Sequence, residues 1–308
     1  MSDMRERLLG LLADGELHSG ERLAASLAVS RTAVWKAAAE LRLRGVAVES
    51  VDRRGYRLPQ AVELLEPDRI RREAADAGFP LPRDLEVLFE VGSTNDHLDA
   101  LPPPPPGRPR LVFAELQRAG RGRRGRTWHA PFGSGLTFSI AWSFAEMPAD
   151  MAALSLAMGV QVARALQRLG AQDVRLKWPN DLVRGLHKVG GLLAQLRSEA
   201  GGPTHLVLGL GLNLRLAAAQ RDALAAPGAL PAGDLAEAFA EPVGRNRIAG
   251  LVAAALLAGL QTFEARGFEP FAADWAELDA LRGRRVRIDR GRGHRDGCGH
   301  RRFAAHRR

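Results

Sequence analysis

The order of helix and hairpin signals in the first 60 residues restricts the fold of this chain more than any other feature. A leucine-rich first helix is followed by a turn and then by a second helix over residues 21–27. Ser30 is a suitable N-cap for a third helix from Arg31 to Arg44, and Gly45 is a suitable stop. Two strand-like pieces flank the turn signal Asp52-Arg53-Arg54-Gly55 and predict a hairpin. This is the element order of a winged helix-turn-helix.

A larger α/β body follows a polar connection. Residues 112–116, 136–140 and 206–210 are predicted strands, and residues 151–169 are predicted to form a buried helix. The five consecutive prolines at 102–106 predict an extended surface loop. At 308 residues the chain is long enough for two or three domains.

Composition and charge argue against several classes of protein. No apolar run approaches the length of a membrane span, so we expect no membrane partner. The single cysteine, Cys298, excludes an internal disulfide and is compatible with the cytoplasm. Residues 282–308 hold eleven arginines and two aspartates, which account for the whole net charge of +9. The rest of the chain is neutral, and the high isoelectric point therefore does not indicate a nucleic-acid-binding body.

Two features of the basic residues point to chemistry on a phosphate. Only three of the 44 are lysines, so a retained lysine is expected where a compact ammonium is needed instead of a planar guanidinium. Lys177 and Lys188 flank Asn180-Asp181. Residues 118–126 hold five arginines interleaved with glycines, between two predicted strands. Guanidinium groups clamp phosphate oxygens and glycines allow close backbone approach, so we favour a phosphate-covering lid over an unstructured RNA-binding tract.

Lys188 stands before Gly190-Gly191 at the entrance of an apolar run. Its ammonium could bridge a carboxylate and a phosphate during acyl transfer, where charge builds up. Asp181 is open to more than one interpretation, since it could position a cation, hold Lys188, or belong to an ordinary turn.

Taken with Ser93-Thr94-Asn95, Gln117, Trp128 and Gly211-Leu212-Asn213, these segments resemble the biotin–protein ligases in order and spacing. The resemblance is to the bifunctional bacterial form, which is both ligase and biotin-operon repressor. It implies an α/β (α+β) chain in which a winged helix-turn-helix precedes a mixed sheet like that of class II aminoacyl-tRNA synthetases. It also implies two steps: biotin and MgATP give biotinyl-5′-adenylate, and a lysine of the biotin carboxyl carrier protein of acetyl-CoA carboxylase then accepts the biotin.

The resemblance assigns roles to individual residues. The residues that it implies for biotin binding are Ser93, Thr94, Asn95, Gln117, Arg121, Gly122, Arg123, Lys188 and Gly191. Those implied for ATP binding are Arg121, Arg123, Trp128, Asn180, Lys188 and Asn213. The implied catalytic residues are Lys188, Arg123 and Asp181, with Asp181 also on the Mg²⁺ side of the site.

The resemblance extends to the N-terminus, where it implies binding to biotin operator DNA. The second helix of a helix-turn-helix enters the major groove, and the predicted DNA contacts are therefore Arg31, Thr32, Trp35 and Lys36. Residues 1–60 hold ten basic and eight acidic side chains, and so weak a charge favours binding as a dimer. The family implies a cytoplasmic homodimer that forms with biotinyl-AMP.

The predicted domains are 1–62, a winged helix; 63–274, the catalytic domain; and 275–308, a C-terminal SH3-like domain. Residues 291–308 lack an alternating apolar strand, so the last domain is predicted to be incomplete, either as a natural basic tail or through a shifted reading frame. Two other functions stay open. One is a lipoate or octanoyl ligase of the same fold, and the other is a transcription factor that senses biotin or its adenylate with little ligase activity.

Overall fold

The computed structural model describes residues 4–52, 54–148, 150–198, 203–224 and 230–284. The N-terminal elements are α1 (Met4–Leu12), α2 (Gly20–Leu27), α3 (Arg31–Leu43), β1 (Glu49–Val51) and β2 (Gly55–Arg57). Ser19 and Ser30 cap α2 and α3, because their hydroxyls accept hydrogen bonds from backbone N–H groups one turn further on. The predicted winged helix-turn-helix is therefore confirmed.

A seven-stranded mixed sheet organises the rest of the chain. Its order is β3-β4-β5-β9-β8-β7-β6, with β3 and β4 parallel and all other neighbours antiparallel. The strands are β3 (Leu85–Val91), β4 (Arg110–Gln117), β5 (Gly135–Phe144), β6 (Val174–Lys177), β7 (Asp181–Arg184), β8 (His187–Ser198) and β9 (Thr204–Asn213). Every residue of the interior strand β5 is buried, as expected for a strand covered on both faces.

Helices cover the two faces of this sheet. On one face pack α4 (Pro67–Asp76), α6 (Leu154–Arg168), α8 (Arg245–Arg266) and α9 (Ala272–Leu278). The other face is covered by the short helix α5 (Thr94–Asp99), whose Leu98 packs on Val112, Ala141 and Val207. A further short helix, α7 (Ala218–Ala223), follows β9.

Helix α8 is the main feature that the sequence analysis did not predict. By length and composition it could cross a membrane, but 67% of its apolar stretch is buried inside the protein, where it packs against α4 and α6. The statement that no apolar run approaches the length of a membrane span was therefore wrong for Arg245–Arg266. The apolar length of this helix is explained by its place in the core.

The structure adds detail at two other places that the sequence analysis singled out. The proline loop lies on the surface, except that Pro104 is buried and its carbonyl accepts a hydrogen bond from the hydroxyl of Ser143. The predicted domain boundary at residue 275 falls inside α9, and Ala280 donates its N–H to the carbonyl of Leu176 in β6. The segment from 285 to 308, with most of the predicted SH3-like domain and basic tail, lies outside the described residues.

A buried polar network fixes the connection between the winged helix and the sheet. The Glu115 carboxylate accepts from the N–H of Leu65 at 2.6 Å and pairs with Arg245 at 2.9 Å. Arg245 also donates to the carbonyls of Glu63 and Gly135. The side chains of Arg245 and Glu115 are only 9% and 5% exposed, so these bonds are shielded from water.

Candidate functional site

One end of the site is a group of hydrogen bonds at the N-terminus of α5. Ser93 caps this helix, and its hydroxyl accepts from the N–H of Asp96. Thr94 donates both its backbone N–H and its hydroxyl to Oε1 of Gln117, at 2.8 and 3.2 Å. These bonds join the start of α5 to the end of β4, and the three predicted residues Ser93, Thr94 and Gln117 therefore lie together.

Asn95 continues this group into the sheet. Its Nδ2 donates to Oε1 of Gln195 at 2.6 Å, and its Oδ1 lies 2.6 Å from the hydroxyl of Ser139, which is also 2.7 Å from the hydroxyl of Thr94. Gly209 lies against Asn95, since an added Cβ there would be 2.1 Å from its Oδ1. Ser139 and Gln195 were not predicted. Each is one of several polar residues in its strand, and nothing in the local sequence distinguishes it from the others.

The glycine–arginine lid, residues 118–126, borders an open cavity of about 600 Å³ that residues 119–127 line together with Leu193 and Gln195. This volume is within the usual range for a small-molecule site. A turn closes the lid through a 2.7 Å hydrogen bond from the N–H of Gly122 to the carbonyl of Arg126. Gly120 must be glycine, because an added Cβ would lie 2.4 Å from a backbone oxygen.

Two lid arginines reach the walls of the site. Arg121 pairs with Asp96 of α5 at 3.0 Å, and Arg123 donates to Oδ1 of Asn180 at 3.2 Å. Asn180 is itself fixed, because its Nδ2 donates to the carbonyl of Leu192 at 2.6 Å. The lid is thus anchored beside both α5 and the turn that precedes β7.

Lys188 lies beside this turn. Its Nζ is 2.6 Å from Oδ1 of Asp181 and 5.8 Å from the ring centroid of Trp128. Trp128 packs on Gly211, where an added Cβ would lie 2.3 Å from the indole, and its buried Nε1 has no hydrogen-bond partner among the described residues. Of the interpretations of Asp181, the one in which it holds Lys188 agrees with this geometry. Gly191 lies close to Lys188 as well, with an added Cβ 3.3 Å from Nζ.

Asn213, which is predicted to bind ATP, is the last residue of β9. It is 4% exposed, and its Nδ2 donates to the carbonyl of Gly233 at 2.9 Å. This donor is therefore already used within the protein.

The site contains few groups that could bind a metal. Within the part of the chain that the structure describes, no three His, Cys, Asp or Glu side chains come together as a metal site. Mg²⁺ usually takes one or two carboxylates and completes its shell with substrate phosphates and water. A single carboxylate, that of Asp181, therefore fits an ion that arrives with a nucleotide.

Known protein families match both the N-terminal domain and the sheet-containing domain of the chain. Residues 90–213 match the biotin/lipoate A/B protein ligase family, and residues 5–57 match a helix-turn-helix domain. The chain is 38% identical over 282 residues to the bifunctional ligase/repressor BirA of Salmonella typhimurium, covering 91% of this chain and 84% of that protein. The Escherichia coli protein of the same description is 37% identical over 283 residues, covering 92% and 84%. The chain belongs to the BirA family of bifunctional ligase/repressors.

Solved structures of ligases share the fold of the BirA-family body. The biotin protein ligase of Aquifex aeolicus in complex with biotin and ATP is 26% identical, with a TM-score of 0.53, over 65% of this chain and 79% of that chain. A Leishmania major biotin protein ligase in complex with biotin also has a TM-score of 0.53, at 24% identity, over 70% of this chain and 88% of that one. The second likeness supports the fold alone.

The helix-turn-helix of this BirA-family chain presents the predicted DNA contacts on one side of α3. Val34, Ala38 and Leu41 are fully buried on the inner side. The exposed residues are Arg31, Thr32, Trp35 and Lys36, and Trp35 is 56% exposed. An exposed tryptophan beside two cations is compatible with the major-groove role predicted for this helix.

Proposed function

We propose that the chain is an ATP-dependent biotin–protein ligase that makes biotinyl-5′-adenylate and transfers biotin to a lysine of the biotin carboxyl carrier protein of acetyl-CoA carboxylase. The observation that carries this proposal is a continuous chain of contacts. Arg123 reaches Asn180, the neighbouring Asp181 pairs with Lys188, and Lys188 lies over Trp128. An arginine, a lysine and an aromatic ring thus lie along one row of contacts, and Trp128 packs on Gly211, two residues along β9 from the Gly209 that lies against Asn95.

The two ends of the site suit the two parts of the intermediate. In the proposed arrangement the buried Ser93, Thr94 and Asn95 take biotin together with the half-buried Gln117, since these side chains present both donors and acceptors. Trp128 offers a flat surface for the nucleotide. Lys188 lies between these ends, where the biotin carboxylate would meet the α-phosphate of ATP.

Fixed cations explain how this arrangement would accelerate the reaction. Both steps move negative charge through oxygens on one phosphorus, and preorganised cations lower such barriers without reorganising during the reaction. The Asp181 carboxylate keeps the Lys188 ammonium in place before the substrates arrive, and it is the proposed protein ligand of the Mg²⁺ that accompanies ATP. A lid closed over the adenylate would also exclude water, which would otherwise hydrolyse it.

We further propose that the chain is the repressor of a biotin operon, as a cytoplasmic homodimer that biotinyl-AMP promotes. The exposed residues Arg31, Thr32, Trp35 and Lys36 would read the operator. Because the intermediate would also be the corepressor, unmodified carrier protein would relieve repression by consuming it.

A transfer assay tests the ligase. The purified full chain is incubated with MgATP, a carrier domain and either biotin, lipoate or octanoate, with a carrier whose acceptor lysine is replaced by arginine as control. We expect ATP-dependent modification with biotin alone. Transfer of lipoate or octanoate in place of biotin would establish the other ligase function, and binding of biotin without any transfer would establish the sensor.

A further inference from the structure

A continuous row of hydrogen bonds, the polar row, joins five side chains at the proposed biotin end of the site. In order, its members are Gln117, Thr94, Ser139, Asn95 and Gln195. They belong to β4, α5, β5 and β8, so the polar row crosses the middle of the sheet. Ser139 and Gln195 are the two members to which the proposed function gives no role.

Ser139 and Gln195 hold opposite ends of the Asn95 amide. The hydroxyl of Ser139 donates to Oδ1 of Asn95 at 2.6 Å, and Nδ2 of Asn95 donates to Oε1 of Gln195 at 2.6 Å. Ser139 is fully buried and Asn95 is 4% exposed, so water does not replace a bond that is lost here. The two bonds therefore fix both the position and the rotation of the Asn95 side chain.

The polar row presents hydrogen-bond donors to the cavity beneath the lid. Gln195 lines this cavity, and Nε2 of Gln117 lies close to Gly120 of the lid, where an added Cβ would be 3.1 Å away. The side-chain oxygens of both glutamines accept bonds within the polar row. Their Nε2 groups have no hydrogen-bond partner among the described residues, so they suit a ligand with a carbonyl oxygen.

We propose that Ser139 and Gln195 are positioning residues that make this end of the site specific for the cyclic urea of biotin, because they fix the side chain of Asn95. This inference rests on the proposed biotin ligase function. A site built to hydrogen-bond a polar group rejects an analogue that lacks the group, since the buried groups of the protein are then left without partners. Lipoate and octanoate carry a carboxylate, as biotin does, but no urea.

Adenylation assays on the full-length chain test this role. Pyrophosphate release gives kcat/KM for biotin, for desthiobiotin, which keeps the urea ring, and for lipoate, which lacks it. Ser139→Ala and Gln195→Leu should each lower kcat/KM for biotin and desthiobiotin by about tenfold or more, because a hydrogen bond to a buried amide is lost. The values for lipoate and the KM for ATP should change by less than about twofold, because neither ligand is recognised through Asn95.

Two comparisons show whether the residues act through Asn95. In the Asn95→Ala background, Ser139→Ala and Gln195→Leu should change kcat/KM for biotin by less than about twofold, because the group that they hold is gone. Gln195→Glu keeps an oxygen that accepts from Nδ2 of Asn95, so its kcat/KM for biotin should stay within about threefold of the parent value.

Ser143 is a matched control for Ser139. It is also a buried serine of β5, on the same face of the strand, and its hydroxyl donates to the carbonyl of Pro104. Ser143→Ala should lower the melting temperature about as much as Ser139→Ala does. It should leave the preference for biotin over lipoate unchanged, because Ser143 does not contact the polar row.

The outcomes separate this inference from the function on which it depends. A parent chain that adenylates lipoate as well as biotin, or adenylates neither, would overturn the proposed biotin ligase. With a parent that prefers biotin, equal losses for biotin and lipoate in the two variants, or no loss for biotin, would overturn the positioning role. A loss in Gln195→Glu as large as that in Gln195→Leu would show that Gln195 does not act through Asn95.

Discussion

Two glycines on β9 should separate biotin binding from nucleotide binding. Gly209 and Gly211 are two residues apart, so an added side chain at either position would point to the same face of the sheet. At Gly209 the added Cβ would lie 2.1 Å from Oδ1 of Asn95, and at Gly211 it would lie 2.3 Å from the indole of Trp128. Gly209→Ala should therefore disturb the proposed biotin end, and Gly211→Ala the proposed nucleotide end.

The size of both effects follows from the closeness of the contacts. Separations near 2 Å are far below van der Waals distance, so Asn95 or Trp128 must move. Overpacking of this kind costs about 1–3 kcal/mol in a well-packed region. If that cost falls on the bound state, affinity drops roughly 5- to 150-fold. Both glycines pair with β5 and β8 in the same sheet, and the two variants are therefore matched controls for each other.

Binding and kinetics can be measured separately. Calorimetric titration with biotin alone should show weaker binding for Gly209→Ala and a nearly unchanged dissociation constant for Gly211→Ala. In adenylation at saturating biotin, KM for ATP should rise for Gly211→Ala. If both variants weakened both ligands equally, at equal melting temperatures, the assignment of two ends to this site would be wrong.

Three other substitutions test the remaining parts of the structure. Lys188→Ala should slow adenylation by about 10²–10³-fold in single-turnover assays. Lys188→Arg should not restore the rate, because a guanidinium is wider than an ammonium and planar. Near-normal rates in both variants would refute the role of Lys188. Arg123→Ala should speed release of labelled biotinyl-adenylate by at least about tenfold, since a charged hydrogen bond is lost, whereas Arg124→Ala in the same lid should have little effect. Arg245→Met should lower the free energy of unfolding, measured in urea, by about 3–5 kcal/mol, because it leaves Glu115 buried without its partner. The control Arg69→Met should lower it by less than about 1 kcal/mol, because the pair of Arg69 with Glu63 is partly exposed.

The parts of the site that sequence analysis predicted lie in short local motifs. Ser93 to Asn95 are consecutive, and the lid is one continuous segment, so each motif can be recognised in the local sequence. Ser139 and Gln195 do not belong to a local motif of this kind. Each is one of several polar residues in a strand of the sheet, and they contact Asn95 from 44 and 100 residues away along the chain. Nothing in the local sequence shows that such a residue points toward a ligand.

The same reasoning explains which helices were predicted. Helix α3 has a buried and an exposed side, and its apolar residues recur with the helical period. Buried residues surround almost the whole of α8, so that no polar side marks the period. A helix of this kind is recognised from length alone, and length alone also fits a membrane span.

The polar connection between the winged helix and the sheet is held by a buried network that its sequence does not reveal. The sequence predicts a polar connection after the winged helix, and in the structure its Glu63 and Leu65 bond to residues 182 and 50 positions away. Burying Arg245 or Glu115 alone would cost free energy, because each carries a charge. Together they pair with each other and form hydrogen bonds with the backbone of the connection. Because breaking this network would leave charges unpaired in the interior, the connection is held firmly against the sheet and α8 at Glu63 and Leu65.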